Sequence, residues 1–121
     1  MPLYFIHISD THFGPTKDFE HYGSNAVDVT SRMVDVINSL PVEIDFVIHT
    51  GDVTNHPEDA SYQLAAEVFS RLTPPIYFVT GNHDTSLGIN TFLKTGAKQD
   101  FSSDKKLVSY SFEKKGIRFI T

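Results

Sequence analysis

Three short apolar runs, each followed at once by a polar cluster, constrain this chain more than any other feature. Residues 3–8, 45–50 and 75–80 are rich in β-branched and aromatic side chains. Runs of that length and composition predict buried strands. Two amphipathic patterns separate them. From about residue 25 to 40, Ala26, Val29, Met33, Ile37 and Leu40 step by three and four, so they predict one apolar helix face. Ser24 fits as its N-cap, and Pro41 lies just past its end. The second helix is expected to open at Pro57, with Glu58 and Asp59 at the positive end of its dipole. Its expected face is Leu64, Ala65, Val68, Phe69 and Leu72, and Thr73-Pro74-Pro75 stops it. Strand–helix–strand–helix–strand predicts an α/β fold with parallel strands and right-handed crossover helices. Beyond it, a short helix is expected over residues 87–93, a polar loop over 94–106, and a hairpin joining 107–113 to 117–121 through Lys114-Lys115-Gly116.

Composition removes several classes of function. The chain has 121 residues, a net charge of -5 and no Lys/Arg run beyond the pairs Lys105-Lys106 and Lys114-Lys115. A basic footprint for nucleic acid is therefore lacking, which disfavours that partner. There is no Cys, which excludes disulfides, a thiol nucleophile and thiolate metal sites. No segment has the pattern of a signal peptide or the length of a membrane span. The expectation is a cytoplasmic protein without a membrane partner; homo-oligomerisation is left open.

The polar clusters carry the chemistry. Ser9-Asp10-Thr11-His12 follows the first run, Gly51-Asp52 the second, and Gly81-Asn82-His83-Asp84 the third. In an open parallel sheet, ligands bind outside the carboxyl ends of the strands, so the clusters are expected to converge. Asp10 and His12, two apart on an extended segment, would point the same way. Gly51 lets the backbone turn close to an ion, and the two oxygens of Asp52 could bridge two of them. Asn82 adds a carbonyl oxygen, and His83 an imidazole. Oxygen and nitrogen donors without sulfur suit Mn, Fe, Zn or Co. Singly, each cluster also reads as a turn or a helix cap; recurrence at three successive strand ends favours one metal site. His7 and His49, inside the strands, read as satisfied sheet residues. His21 and Tyr22, together with Asn55 and His56, are candidates for contacting substrate.

These motifs resemble those of the calcineurin-like metallophosphoesterase superfamily, with its D-x-H, G-D and G-N-H-[ED] blocks. The match covers nearly the whole chain. Ile8-Ser9-Asp10-Thr11-His12 with Gly81-Asn82-His83-Asp84 is most similar to class III cyclic nucleotide phosphodiesterases and related glycerophosphodiesterases. Asn55 stands where purple acid phosphatases carry a tyrosine, and Gly51-Asp52-Val53-Thr54 does not continue as the protein phosphatase motif does.

The resemblance implies the N-terminal half of a metallophosphoesterase α/β sandwich. It implies hydrolysis of small phosphodiesters, including cyclic nucleotides, at two divalent ions with a bridging hydroxide as nucleophile. Asp10, His12 and Asp52 would serve one ion, and Asp52 and Asn82 the other. His83 would donate a proton or hydrogen bond to the leaving group, with Asp84 orienting it. The family's later lone His and its G-H-x-H block do not occur, since His83 is the last histidine. With the chain ending inside an apolar run, residues 1–121 are expected to be a C-terminally truncated domain. The alternatives are a non-catalytic scaffold or remnant with an incomplete metal site, and a nuclease of the same superfamily.

Overall fold

The computed structural model describes residues 1–121. Strands β1 (Phe5–Ile8), β4 (Phe46–His49) and β5 (Ile76–Phe78) form a parallel sheet in the order β1-β4-β5, with Phe5 opposite Phe46 and Val47 opposite Ile76. Helices α1 (Ala26–Asn38) and α2 (Asp59–Phe69) are the crossovers, and α3 (Ser86–Phe92) follows β5. A small hairpin, β2 (Glu20–His21) with β3 (Ser24–Asn25), precedes α1. Strands β6 (Gln99–Ser103), β7 (Val108–Lys114) and β8 (Ile117–Ile120) form a separate antiparallel sheet.

The layers are helix, parallel sheet, antiparallel sheet, and strand alternation sorts the core between them. Val47, Ile76 and Phe78 face the helices and join Phe13, Val34, Phe69 and Ile89. Phe46 and Tyr77 face the second sheet and pack with Val108, Tyr110 and Phe112. Both faces of β4 and β5 are thus covered, which is why these strands read as unbroken apolar runs. Tyr77 stacks on Phe112 at 3.7 Å between ring centroids. The Tyr110 hydroxyl donates to the Phe78 carbonyl at 2.6 Å, tying the two sheets together behind β5.

Several local expectations are corrected. The N-cap of α1 is Asn25, whose side chain accepts from Asp28 N, while Ser24 lies in β3. The buried residues of α1 are Ala26, Thr30, Val34 and Ile37; Val29 and Leu40 are exposed. Pro57 does not open α2: the helix begins at Asp59 behind an extended Glu58, and its buried face adds Ser61 and Tyr62 to Ala65, Val68 and Phe69. The stretch 94–106 is not all loop, because Gln99–Ser103 pairs with β7. No helix is long and apolar enough to cross a membrane.

Candidate metal centre

The loops leaving β1, β4 and β5 emerge at the same end of the parallel sheet, and backbone hydrogen bonds zip the first two together. Asp10 N donates to Gly51 O at 2.9 Å, His12 N to Asp52 O at 3.0 Å and Phe13 N to Val53 O at 2.8 Å. Three residues along this seam are not extended, contrary to the expectation for Asp10 and His12. Asp10, His12 and Asp52 have φ of 59°, 50° and 54°. Left-handed backbone costs about 1–2 kcal/mol per non-glycine residue, and such strain gathers where function demands a particular aim.

Two glycines let the third loop reach the second. Gly51 has φ 117°, and a Cβ on it would lie 2.5 Å from Gly81 N. A Cβ on Gly81 would lie 2.1 Å from Asp52 Oδ1. Only two residues without side chains can stand back to back here, and their contact delivers Asn82 and His83 to Asp52. The His83 N–H donates to Asp52 Oδ1 at 2.9 Å.

The donor set gathers around Asp52. Ligand atoms of Asp10, His12 and Asp52 lie within 4.8 Å of one another. His12 Nε2 is 3.5 Å from Asp10 Oδ1 and 4.0 Å from Asp52 Oδ2. The Asp10 carboxyl is held below its ordinary range, chiefly by the Ser9 hydroxyl; desolvation opposes this, and Asp52 and His12 lower it further. The Asn82 amide lies against the Asp52 carboxylate, and in the orientation that satisfies both groups its NH₂ donates to the two Asp52 oxygens at 3.2 Å. His12 Nδ1 is buried without a partner. Two carboxylates and an imidazole on one spot, with the Asn82 amide beside them, fit a hard or borderline divalent ion.

The other candidates surround this cluster. The His21 ring stacks on His12 at 4.5 Å, and Tyr22 meets His21 edge-on at 4.4 Å. His83 sits perpendicular to His12 at 5.2 Å. Asn55, His56, Thr80, Asn82, His83 and Lys106 line a cleft of about 600 Å³. His7, exposed on the edge strand, is bonded to Thr50 Oγ1 at 2.7 Å.

The expected pairing of Asp84 with the His83 imidazole is corrected. His83 Nδ1 is held by the Asn55 carbonyl at 2.6 Å. A carbonyl only accepts, so Nδ1 carries a proton, and Nε2 is a donor only in the imidazolium. Asp84 is buried beneath the site and accepts from Val53 N and Thr54 N at 3.1 Å, Gly81 N at 3.0 Å, Thr54 Oγ1 at 3.1 Å and Tyr62 Oη at 3.3 Å. It clamps the Gly51-Asp52 loop to the Gly81-Asn82 loop. Sequence reasoning missed its partners Thr54 and Tyr62; Thr54, two past Asp52, offered a weak signal, and Tyr62 on a distant helix offered none. Lys106 was seen only as half of an isolated basic pair, and nothing in its surroundings in the chain marks it as a cleft residue.

Residues 3–118 match the family described as Calcineurin-like phosphoesterase. The chain belongs to that family. It is 31% identical over 114 residues to the glycerophosphodiester phosphodiesterase GpdQ of Enterobacter lignolyticus, covering 92% of this chain and 40% of the relative. It is 29% identical over 108 residues to a probable cyclic nucleotide phosphodiesterase of Colwellia psychrerythraea, covering 88% and 40%. The chain thus spans about 40% of the length of these calcineurin-like relatives. A solved structure of a protein of unknown function from Aquifex aeolicus aligns with 98% of this chain and 59% of its own, at a TM-score of 0.48 and 21% identity.

Proposed function

We propose that this chain supplies the first half of a dinuclear metal centre that hydrolyses small phosphodiesters. The observation that carries the reading is the convergence of ligand atoms of Asp10, His12 and Asp52 within 4.8 Å, with the Asn82 amide beside Asp52. Asp10, His12 and Asp52 hold one divalent ion (Mn, Fe, Zn or Co), and Asp52 and Asn82 contribute to a second. When bound, such ions supply Lewis-acid polarisation of the phosphate and activation of water at neutral pH. His83, its ring fixed by Asn55, presents Nε2 to the ester oxygens and donates to them as the imidazolium. Lys106 adds a cation to the cleft wall and offsets phosphate charge there. His21, Tyr22, Asn55 and His56 form the rim that meets the group esterified to the phosphate. The names of the relatives point to glycerophosphodiesters or cyclic nucleotides as that group.

The division of roles is tested by Mn²⁺ calorimetry together with hydrolysis of bis-p-nitrophenyl phosphate. Asn82→Ala is expected to lower the amount of metal bound. His83→Ala is expected to retain metal and lose turnover. Equal metal loss in both variants counts against the assignment, and absence of metal uptake by the unsubstituted chain favours the non-catalytic scaffold.

A further inference from the structure

His49 is a fully buried imidazole to which the functional reading gives no task. It ends β4 on the helix-facing side, with its ring against Phe69 and Phe78. Both of its nitrogens are engaged. The Gly51 N–H donates to Nδ1 at 3.1 Å. A peptide N–H cannot accept, so Nδ1 bears the lone pair and the neutral ring carries its proton on Nε2. Nε2 lies 3.0 Å from Thr11 Oγ1. That hydroxyl accepts the hydrogen bond from Nε2–H and donates its own to the Val53 carbonyl at 3.0 Å. Burial keeps the ring neutral, pushing its pKa down to about 4. The donor order along this chain therefore stays fixed near neutral pH.

The placement of this relay gives it a consequence for the site. Gly51 precedes Asp52, and Thr11 stands between Asp10 and His12. One side chain thus grips the two loops whose left-handed residues aim the donor set. Strained backbone of this kind persists only where the surroundings over-determine it. The backbone seam brings the loops side by side, and the relay through Thr11 adds a directional bond from inside the core.

We infer that His49, acting through the Thr11 hydroxyl, is a positioning residue for the metal centre, holding Asp10 and His12 in register with Asp52. The inference rests on the metal-centre reading above. Groups that stand behind metal ligands typically set metal affinity by about 10–100-fold.

Thr11→Val removes the hydroxyl while keeping shape and β-branching, and Thr11→Ser restores it. Calorimetric titration with Mn²⁺ is expected to show affinity lowered by about tenfold in Thr11→Val and within about twofold of the unsubstituted chain in Thr11→Ser. Nitrogen NMR of the metal-free protein is expected to find His49 as the Nε2–H tautomer. A Thr11→Val protein with reduced stability and unchanged Mn²⁺ affinity overturns the inference, because a merely structural hydroxyl would behave that way. An Nδ1–H tautomer overturns it too. If the unsubstituted chain takes up no Mn²⁺, the metal reading fails on its own. The register of the two loops is then decided by the amide shift of Asp52, across the seam from the substitution: displaced in Thr11→Val and restored in Thr11→Ser upholds it, and unmoved in both overturns it.

Discussion

Asp84→Asn separates a clamp from a catalytic partner. The substitution preserves shape and replaces one carboxylate oxygen by an NH₂ group. If the NH₂ takes the Oδ2 position, it confronts the N–H groups of Val53 and Gly81, which donate there at 3.1 and 3.0 Å. If it takes the Oδ1 position, it confronts Thr54 N, while the Thr54 and Tyr62 hydroxyls can rotate to accept. The second orientation costs less, yet it still strands one buried peptide N–H and strips the charge from every remaining bond. An orphaned donor costs about 1–3 kcal/mol and a hydrogen bond to a charge contributes about 1.5–3, so the loss is about 3–5 kcal/mol. Against a total of about 5–15 kcal/mol for a domain, that is a large fraction but leaves a folded protein to measure. In urea the midpoint should fall by about 2 M with the slope unchanged. A loss under about 1 kcal/mol would refute the clamp, since five donors at these distances cannot be that cheap to disturb. Unchanged stability with reduced turnover would restore the pairing with His83 expected from the motif.

Three further outcomes follow from particular contacts. His49 titrates ordinarily at 6.5 and in the fold at about 4, so between those values the unfolded chain binds a proton that the folded chain refuses. Stability therefore falls by about 3 kcal/mol as pH drops through that window, and urea midpoints at neutral and acidic pH should show a slope that His49→Gln lacks. Gly81→Ala, which asks for no unusual φ, drives a Cβ to 2.3 Å from Asp52 N and 2.1 Å from its Oδ1. Mn²⁺ affinity should drop at least about tenfold, and retention of wild-type affinity would show that the two loops can separate without cost. Tyr22 holds φ 49° at the first position of a two-residue hairpin turn while 96% exposed. Tyr22→Asn suits that turn and should raise stability by about 1 kcal/mol in thermal melts, and an unchanged melting point would mean the strain is absorbed elsewhere.

Parts of the fold were legible because covering a strand on both faces leaves a mark in the chain. Val47 and Phe46, facing opposite layers, make β4 read as continuous apolar sequence, and the alternation with α1 and α2 then selects a parallel sheet. The face of α1 was misread for the converse reason. Val27, Val29, Val34 and Val36 put apolar groups around much of the helix, and Thr30, buried at 2% exposure, does not announce itself as core. Strand β6 left no mark either. Gln99–Ser103 is exposed along its whole length and polar apart from Phe101, and it is a strand because β7 offers an edge to pair with.

The site divides along the same line. Residue types at the ends of three predicted strands were enough to bring Asp10, His12 and Asp52 to one place, since parallel strands deliver their carboxyl ends to the same edge. The aim of those donors was hidden. Asp10 and His12 point together through left-handed backbone, where the expected extended geometry would have reached a similar aim by alternation. What enforces the actual geometry lies partly outside the motifs, in His49 beneath Thr11 and in Tyr62 and Thr54 around Asp84. Residues that touch an ion must be of a few kinds, so they can be recognised from type and spacing. Residues that hold those ligands need only be buried, polar and correctly placed, and the last condition exists only after folding. For this reason Asp84, taken from its motif to be a partner of His83, is found supporting two loops, and His49, taken to be an ordinary satisfied strand residue, bonds through its two nitrogens to Thr11 and Gly51, one on each of the loops that carry Asp10, His12 and Asp52.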